Sequence, residues 1–467
     1  MSREGQLLKN TVILSIGRFL PKLVSLITLP ILTACLTKAE YGTYDLVYTL
    51  ISLVLPIATL QIQSAAFRFL IDARGDRTQS SSIITNIFAV TLPVSAACSF
   101  IMQFFFRQFP VSIRTCISLW FFADTIQATM GQIIRGLGHN REYSVSAVLL
   151  SVVDMIGIVL GVRLAGKGLF GLMTAVIAGN CVCILYRMLR IRVLQYIDFR
   201  TVSGKQIKTL LAYSWPMVPN NLSTWVLKLS DRLVITSFLG AEANAVYAVA
   251  NKVPNLLAMA QTVMVMAWQE NASIAARDKD ATEYYSKMSV ASFDLMFSLT
   301  ALLIAATPIM FALLIRGDYG EAYYQMPLLI LAMFFFVMSS FFGGIYIAHK
   351  KTLNVGVSTV LAAAINLAID LLFVKHIGIT AGSVSTLVAY MVLYYYRMIN
   401  VQKFQKVHCD LKRQFAQLLI LVAMLTMCFF QKTVLNVVNI VLGIGVAWFF
   451  NREKLMSLLR KAKRTAR

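Results

Sequence analysis

The sequence predicts an all-helical (all-α) integral membrane protein of about fourteen transmembrane helices, each needing about 20 apolar residues to cross a bilayer. Three observations carry that prediction. Of the 467 residues, 58% are hydrophobic and only 14% charged, whereas a soluble domain carries about a quarter charged residues. So much apolar surface cannot be hidden in one water-soluble core of this size. The apolar residues also fall in long runs. In lipid such a run must be a helix, because a helix satisfies its backbone groups within its own segment.

The runs follow in order, most of them bounded by charge or glycine. Leu8–Leu36 stops before Lys38, and Tyr41–Leu70 stops before Arg74. Ser82–Phe106 lies between Arg77 and Arg107, Thr115–Leu137 between Arg114 and Gly138, and Tyr143–Leu164 between Glu142 and Lys167. Leu169–Met188 enters after a Gly-rich turn and leaves into a basic stretch. That stretch, 191–208, reads as a linker from an N-terminal six-helix lobe (1–190) to a C-terminal one (209–405). The second lobe holds Leu210–Leu239, Ala243–Ala272, Tyr284–Ile315, Ala322–His349, Leu353–Val374 and Ile379–Ile399. Residues 406–467 add Phe415–Phe430, Val434–Phe450 and a basic tail. The first run is too long for a cleavable signal peptide and is expected to stay as a membrane helix.

The net charge is +22. Most Lys and Arg, Arg187 and Arg397 among them, fall in loops and tails on the side expected to hold both ends. The opposite loops hold few, such as Arg107, Arg163 and Lys375. The positive-inside rule makes the basic side cytoplasmic. The charge then serves topology and anionic lipid heads, not nucleic acid.

An internal repeat appears. Gly168-Leu-Phe-Gly171 opens the sixth run and Tyr186-Arg187-Met188 closes it; Gly378-Ile-Thr-Ala-Gly382 and Tyr396-Arg397-Met398 do the same for the twelfth. Pro21 and Pro219 correspond more loosely, as do Tyr44 and Tyr247. Repeats six spans apart keep the same orientation, which predicts two lobes related by a pseudo-two-fold along the membrane normal.

Charges at membrane depth are costly and usually face a cavity or a partner. Arg18 and Lys22 share a face of the first run, with Pro21 between them; Lys228 and Arg232 share a face of the seventh, beside Asp231; Lys252 lies in the eighth. They read either as a cationic cleft for a phosphate or pyrophosphate, or as snorkelling and local pairing. Asp124, Asp154, Asp231, Asp294 and Asp370 are the candidates for carrying a coupling ion, H⁺ or Na⁺; the alternative for each is an interhelical hydrogen bond that fixes packing. The aromatic runs Trp120-Phe-Phe122, Phe334-Phe-Phe336 and Tyr394-Tyr-Tyr396 read mostly as lipid-facing or interfacial belts, with sugar stacking the alternative for a few. No Gly-x4-Gly-Lys-Ser/Thr loop is present, so ATP hydrolysis is not expected. The four histidines lie in or beside loops, and Cys181 and Cys183 lack metal-site spacing, so no metal or other cofactor is expected.

Two sets of residues resemble a known family. Leu8-Lys-Asn10, Gly17-Arg18 and Glu40-Tyr-Gly42-x-Tyr44 are similar to the start of bacterial polysaccharide repeat-unit flippases of the Wzx type. These belong to the multidrug/oligosaccharidyl-lipid/polysaccharide exporter superfamily. Trp215-Pro-x-x-Pro219, Asp231-Arg232, Phe238-Leu-Gly240 and Tyr247 resemble its seventh and eighth helices. The resemblance implies a non-enzymatic transporter in the bacterial inner membrane with both termini cytoplasmic. It implies alternating access that carries an undecaprenyl-pyrophosphate-linked oligosaccharide, for O-antigen lipopolysaccharide or capsule, to the periplasmic leaflet. Cavity cations would map to Arg18, Lys22, Lys228, Arg232 and Lys252, with polysaccharide polymerase machinery as a partner. Rival readings are a lipid II flippase, a multidrug or cation antiporter, and a membrane polysaccharide polymerase or ligase. The last would need a sizeable outer loop, and none is seen.

Overall fold

The structure is a computed structural model. It describes the backbone of residues 3–276 and 278–465, and their side chains except at 3–16, 18, 260, 262–263, 266–267, 270 and 453–465. Every apolar run is helical, and no strand occurs among the described residues. The first seven helices are α1 (Arg3–Cys35), α2 (Lys38–Ala58), α3 (Ile62–Asp72), α4 (Arg77–Phe105), α5 (Val111–Gly136), α6 (Asn140–Ile158) and α7 (Gly168–Ile191). Next come α8 (Gly204–Ser214), α9 (Met217–Leu239), α10 (Ala241–Ala250), α11 (Asn255–Ala275) and α12 (Ala281–Leu314). The last are α13 (Gly320–Ala348), α14 (Thr352–Ile377), α15 (Thr380–Val401), α16 (Leu411–Phe429) and α17 (Thr433–Thr465). Among the described residues, nine helices are long and apolar enough to cross a membrane by length and composition.

Three runs expected to be continuous are each split in two, for local reasons. Between α2 and α3, Leu60 and Gln61 take positive φ, which ends a right-handed helix. Between α8 and α9, Pro216 lacks the N–H that a continuous helix requires. Between α10 and α11, the turn closes on Pro254, the N-cap of α11.

The chain forms two compact units, Met1–Trp225 and Val226–Arg467. In the first, α6 and the π-helical turn that continues it (Val159–Leu164) touch α7 through small residues. A Cβ on Gly157 would lie 2.7 Å from the Ala175 Cβ, and one on Gly171 would lie 2.6 Å from the Gly161 carbonyl oxygen. Backbones this close gain dispersion and Cα–H contacts that lipid cannot offer. Glu40 joins two helix starts: it completes a capping box with Thr37 on α2 and accepts from the Leu169 N–H of α7 at 3.0 Å. Gly168, with φ +50°, leaves room for that carboxylate, which any Cβ would strike.

In the second unit α13 is the most enclosed helix, packed by α11, α12 and α15. Its Phe334, Phe335, Phe341 and Phe342 are buried. This corrects the belt reading: Phe334, Phe335, Tyr394 and, in the first unit, Trp120 are core residues. Adjacent aromatics fill a helix that has neighbours on several sides, where no lipid remains to be faced.

Arg187 and Arg397 also depart from expectation. They were counted with the basic loops, yet both are buried. Arg187 of α7 donates Nε to Ser146 Oγ at 2.8 Å and Nη1 to the Gln127 carbonyl at 2.7 Å. Arg397 of α15 donates Nε to Ser358 Oγ at 3.0 Å and Nη1 to the Ser339 carbonyl at 3.1 Å. Each Nη1 lies over a glycine, Gly131 or Gly343, whose Cβ would come within 3.1 Å. The same staple therefore recurs once in each unit, tying its helix to two others.

Residues 192–214 form a strap rather than a free tether. Ser81 and Thr85 of α4 donate to the Tyr196 carbonyl at 2.8 and 3.1 Å. Asn86 donates to the Thr201 carbonyl at 2.9 Å and accepts from the Ser203 N–H at 2.8 Å. Ser214 donates to the Leu60 carbonyl at 2.9 Å.

Candidate functional site

The densest polar cluster in the interior of the second unit is built by α9, α10, α14 and α15. Asp231 and Asp370 are 2% and 1% exposed, and they are near enough for each to feel the other's charge. Asp231 Oδ2 accepts from Tyr247 Oη and from Thr386 Oγ1, both at 2.6 Å. Asp370 Oδ1 accepts from Ser385 Oγ at 2.7 Å. Asn366, one turn before Asp370 on α14, donates to Ser385 Oγ at 3.1 Å and accepts from Ser230 Oγ at 3.2 Å. Asp231 Oδ1 and Asp370 Oδ2 have no hydrogen-bond donor among the described residues.

Local sequence explains this gathering. Gly382 opens the approach of α15 to α10: a Cβ there would lie 3.0 Å from Tyr247 Cε2. With that space free, Tyr247 Oη reaches Asp231 and also lies 3.2 Å from the Gly382 carbonyl.

The electrostatics of such a pair are one-sided. Two like charges about 4 Å apart repel by about 4 kcal/mol at an effective dielectric of about 20, and each buried ion also loses its hydration. Among the described residues no Lys or Arg donates to either carboxylate: the donors are hydroxyls. The arrangement calls for one added positive charge. The surrounding atoms are carboxylate, hydroxyl, amide and carbonyl oxygens, hard donors that suit a proton or a small hard cation.

Of the other sequence candidates, Lys228 is exposed on α9 with its ammonium 4.9 Å from the Phe336 ring centre. Arg232 and Lys252 are half-buried, and Lys22 is exposed on α1. The Arg18 side chain lies outside the described residues. Asp294 is held apart from the pair: it accepts from Arg413 Nη2 and Gln417 Nε2, both at 2.8 Å, an ion pair that locks α16 to α12. Asp124 and Asp154 belong to the first unit and are half-buried, with Asp154 Oδ1 pressed on Gly179. Five aspartates were indistinguishable as coupling candidates in the sequence, and the fold brings two of them together.

Sequence reasoning missed Asn366, Ser385 and Thr386 and saw Tyr247 as a repeat marker and a point of family resemblance, not as a partner of Asp231. One signal was there. Asn366 and Asp370 stand four residues apart in the apolar middle of α14, so they share a face.

The family model for polysaccharide biosynthesis proteins matches residues 7–269. No curated protein matches the sequence. Among solved structures, the lipid II flippase MurJ in an inward closed conformation is similar with a TM-score of 0.72 at 13% identity, over 96% of this chain and 100% of that one. An inward-facing multidrug resistance MATE family transporter of the MOP superfamily gives 0.71 at 14% identity, over 84% of this chain and 98% of that one. A MOP superfamily transporter from Pyrococcus furiosus, described as having a binding pocket of reversed polarity, gives 0.58 at 14% identity, over 85% and 95%. At these identities the likeness establishes the fold, that of a multi-pass helical transporter.

Proposed function

This chain belongs to the polysaccharide biosynthesis protein family, and on that premise we propose that it is a flippase for an undecaprenyl-pyrophosphate-linked oligosaccharide. It carries the repeat unit from the cytoplasmic to the periplasmic leaflet of the bacterial inner membrane, by alternating access, with both termini cytoplasmic. In the second unit the pyrophosphate is held by Lys228 and Arg232 of α9 and by Lys252 in the turn after α10; Arg18 and Lys22 are the corresponding candidates of the first unit, taken by itself. Arg offers a planar fork to phosphate oxygens, Lys a point charge.

The single observation that carries the mechanism is the Asp231–Asp370 pair with its two donor-less oxygens. A proton or Na⁺ at this pair is the coupling ion. Asp231 stands on α9 between Lys228 and Arg232, so the ion and the passenger's phosphate act on one helix. Loading the pair removes a like-charge repulsion and so shifts the balance between helix arrangements, which is what coupling requires.

The lipid II flippase is the second reading. The MurJ fold overlaps 96% of this chain and the MATE fold 84%, and that wider overlap favours a lipid-linked passenger over a multidrug one. The deciding experiment deletes the gene and scores surface polysaccharide, cell-wall synthesis and drug tolerance. Loss of surface polysaccharide alone supports the proposal. Loss of wall synthesis transfers it to lipid II, and loss of drug tolerance with polysaccharide intact overturns it.

A further inference from the structure

The strap has an inner and an outer face of opposite character. Its inner face is fixed to α4 and to the turn between α2 and α3 by the hydrogen bonds described above. On its outer face Leu194 is 71%, Phe199 81% and Trp215 57% exposed. Isolated exposed apolar residues are ordinary, but three large ones within 22 positions of a non-spanning segment make a surface. Arg192, Arg200, Lys205 and Lys208 are exposed among them. The only acid of residues 192–215 is Asp198, whose carboxylate already accepts from the Arg200 N–H at 3.0 Å.

The surface also contains a cavity. Leu60, Ile207, Leu211, Ala212 and Trp215 line a notch of about 430 Å³, with Lys208 in its wall. On α8, Lys205, Lys208 and Ala212 share the exposed face, while Leu210 and Ser214 are buried on the other. An apolar notch edged by an ammonium, with a second ammonium on the same helix face, matches a molecule with an acyl chain and a phosphate head. Interfacial Trp and basic residues are the groups that hold an amphipathic segment at the headgroup layer, and anionic lipids concentrate beside such cations.

We propose that the strap is a binding site for an anionic phospholipid of the surrounding leaflet. Lys205 and Lys208 take the headgroup phosphate, the notch takes the upper part of one acyl chain, and Leu194 and Phe199 insert beside it. This lipid is a resident of the membrane and distinct from the transported passenger.

The test uses the full chain in phosphatidylcholine vesicles that contain a minor fraction of phosphatidylglycerol, brominated on the acyl chains of one lipid at a time. Bromine quenches tryptophan only at contact, so free phosphate gives no signal. The Trp215 share of the emission is the wild-type signal minus that of Trp215→Phe. At equal mole fraction, brominated phosphatidylglycerol should quench that share more than brominated phosphatidylcholine. The preference should fall about fivefold for each of Lys205→Gln and Lys208→Gln, the worth of one interfacial cation. Both substitutions sit on exposed side chains, and the emission of the remaining tryptophans reports the fold. Equal quenching by the two lipids in the wild type overturns the proposal. So does a preference that survives the double substitution, and so does the absence of quenching by either lipid.

Discussion

At Asp370 a single oxygen separates a carboxylate from its neutral isostere, and the environment decides which is the more stable. Its Oδ1 accepts from Ser385, while its Oδ2 has no donor among the described residues and the charge of Asp231 is near. Asp370→Asn keeps the shape and removes the like charge. In a K⁺ medium at fixed pH the variant should therefore unfold several degrees above the wild type, since ~1 kcal/mol moves a midpoint by about 2–4 °C in a domain of this size. Added Na⁺ should raise the wild-type midpoint by mass action and leave Asp370→Asn unmoved. If only acidification does so, the ion is a proton. A wild type indifferent to both has no ion site at this pair. Arg232 is tested differently, with the lipid-linked substrate in reconstituted vesicles. Arg232→Ala should weaken binding by about tenfold or more, and Arg232→Lys should recover part of it, because charge without the fork retains only the point-charge attraction. Equal and normal transport by both would remove Arg232 from the phosphate site. The cations and acids at depth were legible in the sequence because charge inside an apolar run is rare. Their pairing was not, because Asp231 and Asp370 lie on helices far apart in the chain and meet only through the packing of α9, α14 and α15.

Helices were legible for the same reason that loops were: lipid enforces long apolar runs and leaves charge at their ends. What the runs concealed is how helices meet. Arg187 and Arg397 read as loop cations because each stands near the end of its run. The fold instead turns each guanidinium inward, to neutral acceptors only. Arg397→Ala would leave the Ser339 carbonyl and the Ser358 and Thr359 hydroxyls without their donor. The two hydroxyls would still donate to the Val355 carbonyl, so the loss is that of bonds to a charged donor, about 1.5–3 kcal/mol each, and should reach about 3 kcal/mol. It should appear as a lower unfolding midpoint in detergent. Arg187→Ala should behave alike, since its staple has the same parts. A midpoint within one degree of wild type for either would show that water replaces the guanidinium and that the bonds do not hold the helices. The α6–α7 seam makes a second test at this scale. Gly171→Leu places a side chain where even a Cβ would meet the Gly161 carbonyl at 2.6 Å. The two backbones must then part, and folded yield should fall well below that of Gly356→Leu, where a Cβ meets nothing within 4 Å.

The whole chain is ordered by the membrane's electrostatics as much as by its apolar interior. Burying Arg187 and Arg397 removes two cations from the basic loops, yet the asymmetry survives, because Arg74, Lys350, Lys351, Lys403 and Lys406 stand on the expected turns, and Arg77 and Arg141 in the helix starts beside them. The opposite turns carry Arg107, Lys167, Arg316 and Lys432, and these are too few to compete under a rule that counts cations in short loops. The basic face should therefore be cytoplasmic. The consequence for labelling is direct. In a background with the seven native cysteines replaced, His139→Cys and Lys350→Cys should react with a membrane-impermeant maleimide only after the inner membrane is opened. Asp318→Cys and Lys432→Cys should react in spheroplasts that are still sealed. The four sites sample both units and both faces, so the pattern tests each unit's orientation separately. If one unit labels in reverse, the two repeats run antiparallel, and an axis along the membrane normal is excluded. If both label in reverse, the basic strap faces the periplasm. The coupling ion and the passenger would then meet the chain from the wrong side for export, and the flippase proposal would lose the direction that the positive-inside rule supplies.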